Sequence, residues 1–181
     1  IAAQTGMTPF AVEKDWWVSR TLEIIFQMEI SKFLVFKGGT SLSKAWKLID
    51  RFSEDIDISL SSEAVGMTYK QTPTKNYVEQ LRRAGCTFTS NQLLEALKSK
   101  FVESQVPESL YSIEAETVRA DIPDTDPQSI YVNFISLYDP KPSYPQQPKD
   151  ECLPQRDCRL LWYYQIVVLS HRSSHLCYNG N

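Results

Sequence analysis

The sequence lacks the features that would place it at once in several common protein classes. No run approaches the roughly 18 consecutive apolar residues that a membrane-spanning helix needs, so we expect no membrane partner. The four cysteines show no CxxC spacing, which argues against a zinc ribbon and against a secreted disulfide framework. The net charge is −3, so any nucleic-acid site would have to be a local basic patch.

The N-terminal stretch does not have the pattern of a secretory leader. The first residues, IAAQTGM, contain no basic segment leading into an apolar one, so a signal peptide is not expected. The composition is 42% hydrophobic and 23% charged over 181 residues, which is typical of a globular chain long enough for one well-buried domain. We therefore expect a cytoplasmic protein.

Helix and strand patterns fill the chain up to about residue 140. A Thr-Pro pair at 8–9 is a favourable helix start, and apolar spacing predicts a helix over 9–29 with Trp16 and Trp17 as core anchors. Runs in which apolar and polar residues alternate, and short runs that are wholly apolar, predict further strands. Apolar residues at helical spacing predict further helices. The strands are expected at 33–36, 55–60, 111–119 and 129–138, and the helices at 40–50 and within 70–105, where Gly85 would end one helix and Asn91 begin the next.

The composition changes after Pro140. Residues 140–154 hold five of the ten prolines, and the apolar run at 160–169 could be a strand or a short helix. We therefore divide the chain into a domain at 1–140 and an irregular tail at 141–181. One hypothesis is that this tail is out of frame, through a sequencing error or a natural frameshift, and so truncates the domain.

The tail also contains most of the cysteine and histidine residues. These residue types can bind metals, but the spacing between their two groups matches no metal site that we can rationalise. An irregular tail is the favoured interpretation. The residues concerned are Cys152, Cys158, His171, His175 and Cys177.

Two short motifs lie close together in the first third of the chain. Gly38 and Gly39 follow a predicted strand and open a predicted helix, an arrangement that brings backbone N–H groups and the positive helix end to an anion. Asp55 and Asp57 share one face of the next predicted strand, where paired carboxylates can hold Mg²⁺. Each motif alone is weak evidence for a function. Together they favour a site that binds both a phosphate group and a metal ion. Nearby basic residues would either meet phosphate charge or simply lie on the helix surface: Lys37, Lys44, Lys47 and Arg51.

The same stretch resembles a known family. VFKGGTSLSKAW at 35–46 and RFSEDIDISL at 51–60, preceded by EKDWWV at 13–18, are similar to nucleotidyltransferases of the AbiEii/AbiGii toxin family. That family belongs to the DNA polymerase β-like superfamily. The likeness runs over about residues 5–140. It implies an α+β fold with a small mixed sheet flanked by helices and an N-terminal helix.

The resemblance also implies a function. Members are toxins of type IV toxin–antitoxin or abortive-infection systems in phage defence, with a cognate antitoxin as partner. They transfer a nucleotide from an NTP, with Mg²⁺ or Mn²⁺, to an RNA (a tRNA in some members) or a protein acceptor. Carried over to this chain, the metal ligands and catalytic residues would be Asp55 and Asp57. The nucleotide-binding residues would be Lys37, Gly38, Gly39, Thr40, Ser41, Lys44, Arg51 and Ser53.

The sequence departs from the superfamily in one respect. A third carboxylate is expected on a later strand, but residues 129–138 contain no Asp or Glu. Glu114 and Glu116 lie on an earlier predicted strand, and Asp139 lies just past the strand end. Two alternatives therefore stay beside the toxin enzyme. One is a degenerate nucleotide-binding module, and the other is transfer to a small-molecule acceptor.

Overall fold

The structure, a computed structural model, describes residues 6–49, 55–116, 128–138 and the backbone of 161–170. Helices and a mainly antiparallel set of strands both occur within these ranges, so the expected α+β class is confirmed. The predicted helices and strands up to residue 138 are present in order, although several boundaries differ. The main elements are α1 (Pro9–Gln27), β1 (Leu34–Lys37), β2 (Ile56–Leu60), α2 (Lys75–Phe88), α3 (Leu94–Glu103), β3 (Tyr111–Ala115), β4 (Gln128–Ile135) and β5 (Leu161–Ser170).

Helix α1 begins where the sequence predicts. The Thr8 hydroxyl accepts a hydrogen bond from the Ala11 N–H at 3.2 Å, and proline occupies the first helical position, where its missing N–H costs nothing. Trp17 is buried, but Trp16 is 52% exposed. The prediction that both tryptophans anchor the core is therefore wrong for Trp16. Consecutive helical residues point about 100° apart, so only one of the pair can face the sheet.

The described strands form one five-stranded sheet in the order β1-β2-β5-β4-β3. Strands β2 and β5 are parallel, and the other neighbouring pairs are antiparallel. The sheet is therefore mixed, as expected. Strand β5 lies in the centre, so of the two alternatives for the apolar run at 160–169 the strand is confirmed, and the broader prediction of an irregular tail is wrong for Leu161–Ser170. The frameshift hypothesis and the division at residue 140 stay predictions.

One face of the sheet is apolar and carries the helices. Trp17 of α1 stacks on Phe134 of β4 with ring centroids 5.2 Å apart, and Phe101 of α3 lies 5.0 Å from Tyr111 of β3. The Cys86 thiol of α2 donates to the Gln128 side-chain oxygen at 3.3 Å. The alternation of the strands puts Asp57 on the opposite face. The helices thus bury one side of the sheet, and the acidic motif lies on the other.

The segment after β1 is helical for a shorter distance than predicted. It consists of one α-helical turn, Gly38–Thr40, continued by a π-helical turn, Ser41–Ala45; we call residues 38–45 the glycine turn. The prediction is a helix up to residue 50, but the helical turns end at Ala45, and Trp46 after them is 70% exposed. Lys47 has a φ of 52°, a left-handed conformation that cannot continue a right-handed helix.

Three other local predictions are wrong. Gly85 does not end a helix, because it lies buried inside α2. Asn91 does not begin one, because it lies in a π-helical turn, Thr89–Leu93, that joins α2 directly to α3. The predicted buried strand at 33–36 is instead the edge strand β1, where Val35 is 57% exposed.

Candidate functional site

The glycine turn lies directly against the acidic strand. Gly38 has a φ of 70°, and a Cβ atom placed on it would lie 2.6 Å from Asp57 Cγ and 2.9 Å from Asp57 Cβ, with Oδ2 nearer still. Any side chain at this position would overlap the carboxylate, and L-residues rarely adopt this φ. Only glycine therefore lets the turn approach so closely. The phosphate motif and the metal motif of the sequence meet at this contact.

Strand register places a basic residue beside the same carboxylate. Lys37, the last residue of β1, pairs with Asp57 across the antiparallel β1–β2 ladder. Directly opposed residues project from the same face of a sheet. Lys37 is therefore positioned next to Asp57 and immediately before the glycine turn. A cation at this place can meet phosphate charge that approaches the turn.

Hydroxyl groups brace the glycine turn from within. The buried Thr40 hydroxyl donates to the backbone carbonyl of Asp55, which ties the turn to the residue before β2. The Ser41 hydroxyl donates to the Gly38 carbonyl at 3.0 Å. Both hydroxyl protons are therefore used inside the protein. The role of Thr40 and Ser41 in nucleotide binding stays a prediction, and the structure gives them a supporting role.

We expect Thr40→Val to lower the free energy of unfolding by about 1–2 kcal/mol, because it removes this bond and leaves a carbonyl without its donor. Thr89→Val is a matched control, because the Thr89 hydroxyl is buried and has no hydrogen-bond partner among the described residues. Urea denaturation of both variants would compare them. Equal losses at the two positions would contradict a specific contribution from the Thr40 bond.

Lys44 contacts helix α1. Its Nζ lies 2.6 Å from Asp15 Oδ1 and 2.8 Å from the Ser19 hydroxyl. The predicted nucleotide ligand thus forms an ion pair with a residue that the sequence had not singled out. Arg51 and Ser53 lie outside the described residues.

No third carboxylate lies near Asp57 among the described residues. Strand β5, the neighbour of β2, reads LWYYQIVVLS and contains no acid. Glu114 lies on β3, and the Glu116 N–H bonds to the Ser129 carbonyl at 2.8 Å. Strand β3 is separated from β2 by two strands, about 14 Å at the usual spacing. Oxygen ligands of one Mg²⁺ each lie about 2 Å from the ion, so these glutamates cannot share an ion with Asp57.

The donor set fits a hard divalent cation held by few protein ligands. Asp55 is exposed and Asp57 is half-buried, and residues two apart in an extended segment project to the same side. Mg²⁺ is commonly bound by one or two carboxylates together with water and substrate phosphates. In the part of the chain that the structure describes, no group of three or more His, Cys, Asp or Glu residues could hold a metal ion. Asp139 and the Cys/His residues of the tail lie outside that part.

The EKDWWV segment contributes contacts that helix periodicity did not predict. The Glu13 carboxylate accepts hydrogen bonds from the Ser136 hydroxyl at 2.5 Å and from the Leu137 N–H at 2.9 Å. Asp15 pairs with Lys44, and Trp17 stacks on Phe134. This segment therefore joins α1 to both the end of β4 and the glycine turn. For Glu13 and Asp15 the sequence signal was the family resemblance alone, whereas apolar spacing had already predicted Trp17 in the core.

Comparison with known proteins gives one result. A family model described as "Nucleotidyl transferase AbiEii toxin, Type IV TA system" matches residues 20–169. The match includes both motifs and almost all of β5. No curated protein and no solved structure matches the chain. Among the described residues, none of the helices has the length and apolar character required to cross a bilayer.

Proposed function

Because the chain belongs to the AbiEii nucleotidyl transferase toxin family of type IV toxin–antitoxin systems, we propose that it transfers a nucleotide from an NTP to an RNA or protein acceptor. The family implies an antitoxin partner. The observation that carries the proposal is the contact of Gly38 with Asp57. In this proposal the turn would bind the triphosphate and the carboxylate would bind the metal, and such a reaction needs both parts close together.

Each residue of the site would have its own role in the proposed reaction. Asp55 and Asp57 would hold Mg²⁺, which when bound supplies positive charge to the phosphate oxygens. The backbone of Gly38 and Gly39 would orient the triphosphate, with Lys37 beside it. An acceptor hydroxyl would attack the α-phosphorus, its proton would pass to water, and pyrophosphate would leave. Positioning and charge neutralisation account for most of the catalysis in phosphoryl transfer.

A polymerase β-like core is part of this proposal. Its support is the mixed sheet, with the acidic motif on β2 next to the central strand β5 and the glycine turn between β1 and β2. The close approach of Gly38 to Asp57 supports a common site for the two motifs.

A nucleotide-binding module without transfer is the second candidate. It is favoured by one observation, the lack of an acid on β5 next to Asp57. A third carboxylate would normally serve as a metal ligand or as a base. Its loss would therefore slow nucleotide transfer more than it would weaken nucleotide binding. Such a protein would bind NTP with Mg²⁺ and act by interaction.

Incubation of the purified protein with each α-³²P-labelled NTP, Mg²⁺ and total RNA tests the proposal. We expect label to appear in RNA or in a protein band, and to disappear when EDTA removes the metal. NTP binding without incorporation would support the module instead. Label found only on a small hydroxyl or amine compound would overturn the macromolecular acceptor. Repeating the assay with Mn²⁺ would compare the transfer activity that the two metals support.

A further inference from the structure

We propose that Asp15 is a positioning residue for the glycine turn and that it acts through Lys44. This inference rests on the proposed function, in which the turn binds the triphosphate. Lys44 is a residue of the turn, and its ammonium group contacts Asp15 Oδ1 at 2.6 Å. It also contacts the Ser19 hydroxyl at 2.8 Å. Two groups one helical turn apart on α1 thus hold one end of the glycine turn.

The hydrogen-bond geometry supports a fixed position for Lys44. The Ser19 hydroxyl donates to the Asp15 carbonyl at 2.8 Å, so its oxygen is oriented to accept from Lys44. Two of the three ammonium donors are then used. The side chains of Lys44 and Asp15 are 23% and 41% exposed, which is less than in the ion pairs Arg20–Glu23 and Lys98–Glu95. Partial burial reduces screening by water and salt.

Helix α1 is a firm support for this contact. Two residues before Asp15, Glu13 binds the end of β4, and two residues after it, Trp17 stacks on Phe134. The other end of the glycine turn is held by Thr40 on Asp55 and by the close approach of Gly38 to Asp57. The Asp15–Lys44 pair therefore completes the attachment of the turn at its far end.

The alternative is that Lys44 binds phosphate itself, and the two ideas predict opposite signs for one variant. If Asp15 positions the turn, removing either charge of the pair breaks the same contact. Asp15→Asn and Lys44→Met should then weaken nucleotide binding alike, and the double variant should be no worse than either. If Lys44 binds phosphate, Asp15→Asn should release its charge and tighten binding.

Titration of the full chain with a fluorescent ATP analogue and Mg²⁺ tests this. We expect Kd to rise about fivefold in both single variants and in the double variant, a size within the range of coupled contacts. Asp15→Glu should restore part of the affinity. Glu95→Gln is the matched control, because Glu95 pairs with Lys98 at 2.9 Å on α3. Unchanged or tighter binding in Asp15→Asn would overturn the proposal.

Amide hydrogen exchange without nucleotide separates this inference from the proposed function. We expect exchange in residues 39–45 to be about fivefold faster in Asp15→Asn and Lys44→Met and unchanged in Glu95→Gln. Equal exchange in all variants would overturn the positioning role, even if the protein transfers nucleotides. If the unmodified protein binds no NTP, the proposed function fails, while the exchange result still decides whether Asp15 holds the turn.

Discussion

Asp57→Asn is expected to reduce nucleotidyl transfer by about a thousandfold, the largest effect of any single change in the site. The substitution keeps the shape of the side chain but removes the charge that would hold Mg²⁺. A bound metal contributes several kcal/mol to transition-state stabilisation, and each 1.36 kcal/mol is a factor of ten in rate. The NTP-labelling assay, run at saturating NTP, measures the change.

The second acidic residue distinguishes a shared ion from two independent surface charges. If Asp55 and Asp57 bind the same ion, Asp55→Asn should cause a similar loss, and the double variant should be barely worse than either single one. Glu114→Gln is the matched control, because Glu114 lies on the far strand β3. Mild, additive losses at Asp55 and Asp57 would indicate that both are ordinary surface acids. A large loss at Glu114 would contradict the site as described.

Gly38→Ala is expected to combine a large loss of activity with a loss of stability. The new Cβ would overlap Asp57 Oδ2 and Cγ, so the carboxylate or the turn must move. A positive φ costs a non-glycine residue about 1–2 kcal/mol, and overpacking adds about 1–3 kcal/mol. The free energy of unfolding should therefore fall by about 2–5 kcal/mol, as measured by urea denaturation.

Gly66→Ala separates the cost of the positive φ from the cost of the overlap with Asp57. Gly66 has a φ of 72°, nearly that of Gly38, but a Cβ atom placed there would meet nothing within 4 Å. This variant should show only the conformational cost of about 1–2 kcal/mol and keep its transfer activity. Because the overlap involves the Asp57 side chain, Asp57→Ala should recover part of the stability lost in Gly38→Ala. Equal losses in Gly38→Ala and Gly66→Ala would show that the contact with Asp57 carries no energy.

Local patterns predicted the elements around the site because each depends on neighbouring residues. The cap at Thr8 and the helix after it need only a hydroxyl, a proline and apolar spacing. The alternation in β2 fixed which face carries Asp57, since side chains of a strand alternate whatever the neighbours are. The pair of glycines required a turn, and the structure places Gly38 at a positive φ. These features follow from chain geometry over a few residues.

The errors lie where a residue's environment comes from distant parts of the chain. Nothing local distinguishes a central strand from a short helix, so the sequence allows either at 160–169; the position of β5 comes from its pairing with β2 and β4. The predicted helix at 40–50 ends early for a similar reason, since periodicity cannot show whether a partner surface exists for an apolar side chain such as Trp46. Likewise, Asp15 carries no signal of its own, because its partner Lys44 is 29 residues away.

The sequence alone determined the family motifs and the face on which Asp57 lies, and the resemblance that the motifs carry implied the α+β class. The motifs and the face are set by residue type and short-range spacing. Only the tertiary structure decided that Gly38 lies against the Asp57 carboxylate, that Lys44 is held by α1, and that the strand beside β2 brings no third acid. Those facts depend on the packing of segments far apart in the chain, and contact between such segments is decided by the whole fold and not by any one stretch of sequence.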